Sequence, residues 1–442
     1  MGGEHPTVTT HRDGTPNIVV AMLARERGIT GVHTHVRQLL SYLRDPGDRA
    51  TRRALVVTPR TWSRRPWQKV AVLAFFSPAR LLERMYGPAH VRWYRWTHEL
   101  VLRSALRRVL ASEPNAVVYA QCPVSARAAL RARRGPEQPV VMAVHFRISQ
   151  SDEWADKGHL RRDGKTFKDI RRLEREVVGA VDGLVFVSAW ARSALLDWLP
   201  EADQVPSQVI TNFVRRPPLS TTVEPRGDLV SVGNLEAIKN HRFLLEVVAE
   251  AAERGHSYTV DIFGEGVERA ALQRLAEELG ISGQVRLRGF RPDVEDWLPG
   301  YRAYVHASYS ESSSLAIMEA MAAGLPIVTS CVKALAELID DPAEGRYWPI
   351  DDVGRATDLL VGLVEDESER RRAGAAARAR FERDYDAAVV APRLLRLLDE
   401  SRSTAAGPVS RSEPGVQERA GCGGVQSQLR STFNQHRSGH GR

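Results

Sequence analysis

The sequence is poor in the features that stabilise small secreted proteins or anchor proteins in membranes. Its 442 residues include three cysteines, Cys122, Cys331 and Cys422. They are widely spaced and odd in number, so they imply neither a disulfide framework nor a metal cluster. No apolar run approaches the roughly 18 residues that a membrane-spanning helix needs. The first residues, 1–6, lack a charged-then-apolar signal pattern. We therefore expect a cytoplasmic protein.

The overall composition is typical of a soluble globular protein. Hydrophobic residues make up 43% of the chain and charged residues 26%, and the length predicts two to three domains. The net charge is +8. Such a balance favours anionic partners, which include a phosphorylated substrate, an anionic membrane surface or a nucleic acid.

Short apolar runs of strand length alternate with amphipathic segments of helix length along most of the chain. This alternation predicts an α/β fold with parallel, doubly wound sheets. A Pro-rich stretch interrupts it, which predicts two similar halves that face each other across a cleft. The predicted units are a disordered tail at 1–16, an N-terminal domain at 17–215, a linker at 216–227, a C-terminal domain at 228–384, a helix at 385–402 that crosses back to the N-terminal domain, and a disordered tail at 403–442.

Two carboxylates eight positions apart, Glu311 and Glu319, bracket a predicted turn between a strand and a helix. The serines at 312–314 can supply the N-cap of that helix. A helix N-terminus at this turn directs free N–H groups and a positive dipole towards a phosphate. The alternative is an ordinary surface helix with acidic residues near its N-terminus. A phosphate flanked by two carboxylates that can bind hydroxyls describes a sugar nucleotide.

The segment 311–328 resembles the E-x7-E motif of the retaining glycosyltransferases of family 4, which have the GT-B fold. The resemblance covers roughly residues 17–400 and is most specific in the C-terminal half. It implies an enzyme of the hexosyltransferase type that transfers a sugar from a nucleotide-diphospho-sugar to a hydroxyl of a glycan, a lipid-linked molecule or a small molecule. It also implies retention of the anomeric configuration, with no metal and no cofactor.

The resemblance assigns roles to several residues of the C-terminal half. The loop with Gly233 and Lys239 matches the diphosphate-binding loop, although Asn234 stands where an arginine is usual. Glu311 would hold the sugar hydroxyls and Glu319 the ribose hydroxyls. Backbone close to the nucleotide is expected at Gly264 and at Phe290, and phosphate contacts are expected at Ser313, Ser314, Leu315 and Ala316. Without the resemblance, Lys239 could be an ordinary solvated lysine, and the glycine-containing loops could be simple tight turns.

Two residues of the N-terminal half complete the predicted site. His145 follows a strongly apolar strand and matches the histidine beside the reacting sugar, whereas a lone histidine more often has a structural role. Gly31 starts the first helix and resembles the glycine-rich loop below the acceptor. The predicted catalytic residues are therefore His145, Lys239 and Glu311.

The stretch 61–100 combines four tryptophans, Trp62, Trp67, Trp93 and Trp96, with several arginines. This mixture is typical of contact with an anionic membrane. It also suits single-stranded nucleic acid, or a helical excursion with buried tryptophans. We predict no nucleic-acid partner, because no known binding motif accompanies the charge, and a peripheral membrane position stays open.

The remaining alternatives share the fold or the ligand. A non-catalytic sugar-nucleotide-binding protein is one, because the serine loop and Asn234 depart from the family pattern. A GT-B sugar-nucleotide epimerase is another. An NAD-dependent oxidoreductase would need Gly-x-Gly-x-x-Gly after the first strand, which the spacing of Gly28 and Gly31 does not provide.

Overall fold

A computed structural model of the protein describes residues 18–23, 30–44, 53–62, 86–217, 224–340 and 342–405. The tail predicted at 1–16 and the central part of the linker lie outside the described residues. So does the predicted C-terminal tail from residue 406 onwards.

In the described part of the first half, the strands form one parallel sheet in the order β2-β1-β3-β4-β5-β6. Alternate residues of β1 enter different cores, with Val19 on one face and Val20 on the other. Both faces are apolar because helices cover both. The strands are β1 (Ile18–Ala21), β2 (Ala54–Val57), β3 (Val117–Ala120), β4 (Val140–Val144), β5 (Gly183–Phe186) and β6 (Ser207–Val209).

Helices connect these strands, and local polar residues fix several of their starts. The side chains of Ser149 and Ser188 accept hydrogen bonds from backbone N–H groups three residues ahead, as N-caps do. The helices of this half are α1 (Gly31–Leu43), α2 (Gly87–Ser112), α3 (Pro123–Leu130), α4 (Gln150–Asp156), α5 (Lys165–Val178) and α6 (Ala189–Leu196).

The second half repeats the plan with a parallel sheet in the order β12-β11-β10-β7-β8-β9. Its strands are β7 (Leu229–Val232), β8 (Val260–Phe263), β9 (Val285–Gly289), β10 (Ala303–His306), β11 (Ile327–Ser330) and β12 (Gly345–Trp348). The sequence did not predict β12. Its Gly-Arg-Tyr-Trp pattern has no apolar run, and its identity as an edge strand comes from pairing with β11.

The helices of the second half are α7 (His241–Glu253), α8 (Arg269–Glu278), α9 (Leu315–Ala322), α10 (Val353–Glu365), α11 (Glu367–Asp384) and α12 (Ala387–Ala405). Helix α12 returns to the first half. Its buried Val390 and Leu394 pack with Val20 of β1 and Leu39 of α1. The helix runs to Ala405, three residues beyond the predicted end, and so into the start of the predicted tail.

Two parallel α/β sheets with this connectivity confirm the predicted fold class. Within the described residues, the helices are all too short or too polar to cross a bilayer. Of the segment at 61–100, residues 63–85 lie outside the described part. In α2, the rings of Trp93 and Trp96 lie 5.5 Å apart, and Trp96 is exposed. Membrane contact by this segment stays a prediction.

Candidate active site

The candidate site lies at the carboxyl ends of β7 and β10, which are neighbours in the second sheet. From β7 the strand order runs outwards through β8 and β9, whereas β10 leads to β11 and β12 on the other side. Such a switch point leaves a crevice between the two outgoing loops, and ligands of open α/β sheets bind there. The loops after β7 and β10 carry most of the predicted site residues.

Two glycines lock the loop after β7 onto the loop after β8. Gly264 has φ of +146°, and a Cβ built on it would lie 1.9 Å from the carbonyl oxygen of Gly233. No side chain fits that approach. The backbone N–H of Leu235 donates to Glu265 O at 3.0 Å, which joins the loops further along. The close backbone approach at these glycines is therefore between the two loops themselves.

Lys239 and Glu311 come together in an ion pair across the switch point. Lys239 ends a short 3₁₀ helix at 237–239, and its Nζ donates to Oε1 of Glu311. The alkyl chain of Lys239 lies over Gly233, where a Cβ would be 3.7 Å from its Cδ. Both side chains are largely buried, so the two opposite charges are held in fixed positions at the candidate site.

Two further residues hold the same carboxylate oxygen. His306 Nε2 lies 3.0 Å from Glu311 Oε1, and the Ser308 hydroxyl donates to it at 2.9 Å. Sequence reasoning missed both, although His306 ends an apolar strand just as His145 does. Within the described residues, the other oxygen, Oε2, receives no hydrogen bond. It is the atom through which Glu311 can bind a sugar hydroxyl.

The electrostatics of this cluster keep Glu311 ionised. Burial alone would raise its pKa, but the ammonium of Lys239 and the hydrogen bond from His306 hold the pKa of Glu311 far below its usual range. Burial lowers the pKa of His306, and the Glu311 carboxylate opposes that change. The cluster therefore holds Glu311 as an anion at neutral pH.

Helix α9 begins next to this ion pair and offers donors to an anion. Ser314 is its N-cap, with Oγ 3.4 Å from the Ile317 nitrogen. The backbone N–H groups of Leu315 and Ala316 donate to no acceptor among the described residues. The buried Oγ of Ser313 has no partner there either. These groups can receive a phosphate, with the helix dipole adding to their attraction.

Glu319 lies one turn into α9, buried and without a hydrogen bond from the described residues. Burial raises its pKa to about 8, the nearby Glu295 adds to this, and Arg37 of α1 acts against it. A buried carboxyl group without partners retains its full capacity to bind ligand hydroxyls. This is the arrangement that the predicted ribose contact requires.

The raised pKa of Glu319 predicts how stability depends on pH. Between pH 4.5 and about 8 the folded state keeps a proton that the unfolded state has released. The free energy of unfolding should therefore fall as pH rises through this window, by up to about 1.4 kcal/mol per pH unit. Urea unfolding at pH 5, 6.5 and 8 should show a smaller decline for Glu319→Gln than for wild type. The exposed Glu253→Gln serves as control, and parallel wild-type and Glu319→Gln curves would contradict the prediction.

The predicted base contact lies at the end of β9. Gly289 has φ of +73°, and its carbonyl accepts from the Gly264 nitrogen at 2.9 Å. Phe290 follows it and is 45% exposed. An exposed ring beside a tight backbone turn can border a flat ligand. Asn234 lies next to Gly233 at the entrance to the same loop pair.

His145 follows β4 and faces the serine loop of the second half. Ser312 Oγ donates to the His145 carbonyl at 2.7 Å, while the Ser312 carbonyl accepts from Ser188 Oγ at 2.7 Å. The His145 ring is held by Gln121 Oε1, 3.0 Å from its Nε2. Burial, with a smaller effect from the neighbouring His35, lowers the pKa of His145 well below 6.5. It therefore acts as a neutral imidazole.

Gly31 is the first residue of α1, after the N-cap Thr30. Among the described residues, which leave out 24–29, no atom lies within 4 Å of a Cβ built on it. The contact of Gly31 with the acceptor stays a prediction. Among the described residues, no three His, Cys, Asp or Glu side chains converge in a metal-binding arrangement.

Comparison with known protein families places both halves of the chain. The family model described as "Glycosyl transferase 4-like domain" matches residues 30–208. The model described as "Glycosyl transferases group 1" matches residues 220–380. The first match includes β2 to β5 of the first sheet, and the second includes every strand of the second sheet.

Individual relatives agree with these matches. The chain is 30% identical to the GtfA subunit of the UDP-N-acetylglucosamine–peptide N-acetylglucosaminyltransferase of Streptococcus gordonii, over 32% of this chain and 28% of the relative. It thus spans little more than a quarter of that relative's length. It is 27% identical to the phosphatidyl-myo-inositol mannosyltransferase of Mycolicibacterium smegmatis, over 84% of this chain and 90% of the relative.

Among solved structures, Anabaena Alr3699/HepE in complex with UDP-glucose superposes with a TM-score of 0.64. The identity is 16%, and the match covers 87% of this chain and 99% of that protein. At this identity the likeness concerns the fold. The two halves of the chain thus match two glycosyltransferase domain models, and its architecture is the GT-B fold.

Proposed function

We propose that this chain transfers a hexosyl group from a nucleotide-diphospho-sugar to an acceptor hydroxyl, with retention of configuration and without a metal ion, in glycoconjugate biosynthesis. The observation that carries the proposal is the Lys239–Glu311 ion pair at the switch point of the second sheet. It lies beside the open N-terminus of α9. Fixed donors and a fixed carboxylate at one crevice suit a diphosphate linked to a sugar.

The diphosphate would lie against Lys239 and the first N–H groups of α9, where its developing charge is stabilised as the glycosidic bond breaks. Asn234 supplies no cation, so Lys239 and the helix N-terminus carry this role together. Glu319 would bind the ribose, and the backbone at Gly264 and Phe290 would border the base. Glu311 Oε2 would hold a ring hydroxyl of the sugar.

The acceptor hydroxyl would attack the anomeric carbon from the face that the diphosphate leaves. The bond from C1 to the phosphate oxygen breaks, the bond from C1 to the acceptor oxygen forms, and the acceptor proton passes to the departing phosphate. This front-side course needs no second protein base. Neutral His145 donates its Nε2–H to Gln121, so its Nδ1 can accept a hydrogen bond from a sugar hydroxyl without adding positive charge near the forming oxocarbenium ion.

The first test is thermal stabilisation by UDP-, GDP- and ADP-sugars with EDTA present. At 100 times the dissociation constant, a bound donor stabilises the protein by about 2.7 kcal/mol, which is several degrees. We expect one base and sugar class to shift the melting temperature. The control is the corresponding free sugar with the nucleoside monophosphate. A shift that requires a divalent metal would contradict metal independence, and no shift with any donor would contradict the donor site.

The stereochemical part is checked separately once an acceptor is found. ¹H NMR of the product formed from an α-linked donor should show an α-anomeric proton. A β-linked product would contradict retention. The non-catalytic and epimerase alternatives predict no glycosylated product at all.

A further inference from the structure

A buried histidine of α1 packs against one of the candidate site residues. His35 follows Val32 by three positions and precedes Leu39 by four, so helical spacing places it on the apolar face of α1. It is 2% exposed. A buried imidazole costs free energy unless its polar atoms find partners. The contacts of this side chain therefore indicate what it does at this position.

The hydroxyl of Tyr119 on β3 is the polar partner of His35. Its oxygen lies 3.1 Å from His35 Nε2, and Tyr119 is itself fully buried. Two residues further along the chain, just past the end of β3, Gln121 Oε1 lies 3.0 Å from Nε2 of His145. Neighbouring positions on one strand and its exit thus hold two imidazole rings, one on α1 and one after β4.

The two imidazole rings meet edge to face. Their centroids are 5.0 Å apart, and their planes are inclined by 64°. Aromatic rings favour this arrangement because the edge of one is attracted to the electron-rich face of the other. Burial lowers the pKa of His35 to about 4 and that of His145 well below 6.5. Both rings are therefore neutral at pH 7, and charge repulsion does not oppose their contact.

A third ring contacts His35 from the segment that leads into the second half of the chain. Phe213 lies edge to face with His35 at a centroid distance of 5.6 Å. This segment is itself anchored to α1, because the backbone N–H of Arg215 donates to Gln38 Oε1 at 3.0 Å. Gln38 lies one turn after His35 on the same helix. The ring of His35 is thus held by fixed neighbours on β3 and on the segment between the halves.

The hydrogen bond to Gln121 does not fix the His145 ring by itself. An imidazole held at one nitrogen can still turn about its χ2 torsion, for which the preferred angles are broad. A second contact on the ring removes this freedom. His35 provides that contact, and Tyr119 and Phe213 keep His35 in place.

We propose that His35 is a positioning residue for glycosyl transfer, which sets the ring orientation in which His145 Nδ1 can accept a hydrogen bond from the sugar. His35 acts through His145 and not by contact with the sugar. The inference rests on the proposed function for the role of His145, whereas the ring orientation can be tested without a substrate. The required feature is the flat ring of His35. Phenylalanine should therefore replace it, and an aliphatic side chain should not.

NMR of the full chain with ¹⁵N-labelled histidine, without ligand, tests the orientation. In wild type, His145 should show one protonated and one unprotonated ring nitrogen, as a fixed Nε2–H tautomer requires. In His35→Leu the two nitrogen shifts should move towards each other, whereas in His35→Phe they should stay at the wild-type positions. The signals are assigned by their loss in His145→Gln. Both changes at position 35 leave the Tyr119 hydroxyl unpaired, so they should lower the melting temperature by similar amounts.

The consequence for the reaction is measured as release of nucleoside diphosphate from the sugar nucleotide that thermal shift selects. We expect His35→Leu to lower kcat tenfold or more, whereas His35→Phe should stay within threefold of wild type. KM should change little, because the proposed donor-binding groups at Lys239 and α9 lie in the second half. His256→Leu, a histidine change before β8, is the control and should keep wild-type rates.

A fixed His145 tautomer in His35→Leu would overturn the proposal. Equal losses of kcat in His35→Leu and His35→Phe would also overturn it, because a purely structural role follows their shared loss of stability. If the single variants do not fold, the same comparison is made together with Tyr119→Phe, which removes the unpaired hydroxyl. Failure of every sugar nucleotide to bind counts against the proposed function, while the NMR result still decides whether His35 orients His145.

Discussion

Replacing Lys239 with alanine is expected to lower kcat/KM for glycosyl transfer by about 10²–10³-fold, the usual cost of removing one group that stabilises developing negative charge. Lys239 is the cation of the loop after β7, and Asn234 adds none. It lies over Gly233 and reaches Glu311 from the opposite loop. Because the diphosphate gains charge only as the sugar departs, the loss should fall mainly on kcat.

Initial rates at varied donor concentration separate kcat from KM. Lys168→Ala, an exposed lysine change on α5, is the matched control and should keep wild-type rates. A Lys239→Ala enzyme with less than a threefold loss in kcat would show that the leaving group is stabilised elsewhere. A change confined to KM would assign Lys239 to ground-state binding instead.

Glu311→Gln is expected to lower both activity and stability. The change preserves shape but removes the anion that pairs with Lys239 and His306. Breaking a buried pair from one side costs about 3–5 kcal/mol. The lower end applies here, because Lys239 is partly exposed and can be hydrated. We expect the free energy of unfolding to be about 3 kcal/mol lower. We also expect kcat to be at least a hundredfold lower, because the carboxylate that would bind the sugar hydroxyl is lost.

The pH dependence of this difference follows from the lowered pKa of Glu311. Its stabilising effect is complete above pH 4.5, where the unfolded carboxyl group is ionised. It is lost as pH falls towards the lower pKa of the folded state. Urea unfolding should therefore give a constant wild-type minus Glu311→Gln difference from pH 6 to 8 and a smaller one at pH 4.

The control for this variant is Glu278→Gln, an exposed carboxylate on α8, which should match wild type throughout. A Glu311→Gln protein as stable as wild type at pH 7 would show that the ion pair makes no net contribution. Unchanged turnover would remove Glu311 from the proposed sugar site.

The fold could be predicted in large part because parallel strands buried on both faces are continuous apolar runs. Leu229–Val232, Val140–Val144 and Ala303–His306 are strands of this kind, buried along nearly their whole length. The missed strand, Gly345–Trp348, has a mixed pattern because it lies at the edge of the sheet. Edge pairing depends on a neighbour, and a local pattern does not contain that information.

Only those parts of the site that depend on local structure could be predicted from the sequence. The N-cap of α9 was predicted among the serines at 312–314, because capping depends on residues within one turn, and in the structure it is Ser314. The hydrogen bonds that join His306 and Ser308 to Glu311 were not predicted. His306 ends an apolar strand, but its contact with Glu311 and that of Ser308 depend on where the loop after β10 turns back.

The sequence by itself determined two α/β halves, the start of α9 and the carboxylates at 311 and 319, because periodicity, capping and spacing are local properties. Only the tertiary structure decided which charges meet. It paired Lys239 with Glu311, buried Glu319 with no hydrogen bond from any described residue, and joined Ser312 to His145 across the two halves. Such contacts follow from strand order, which brings distant loops to one sheet edge.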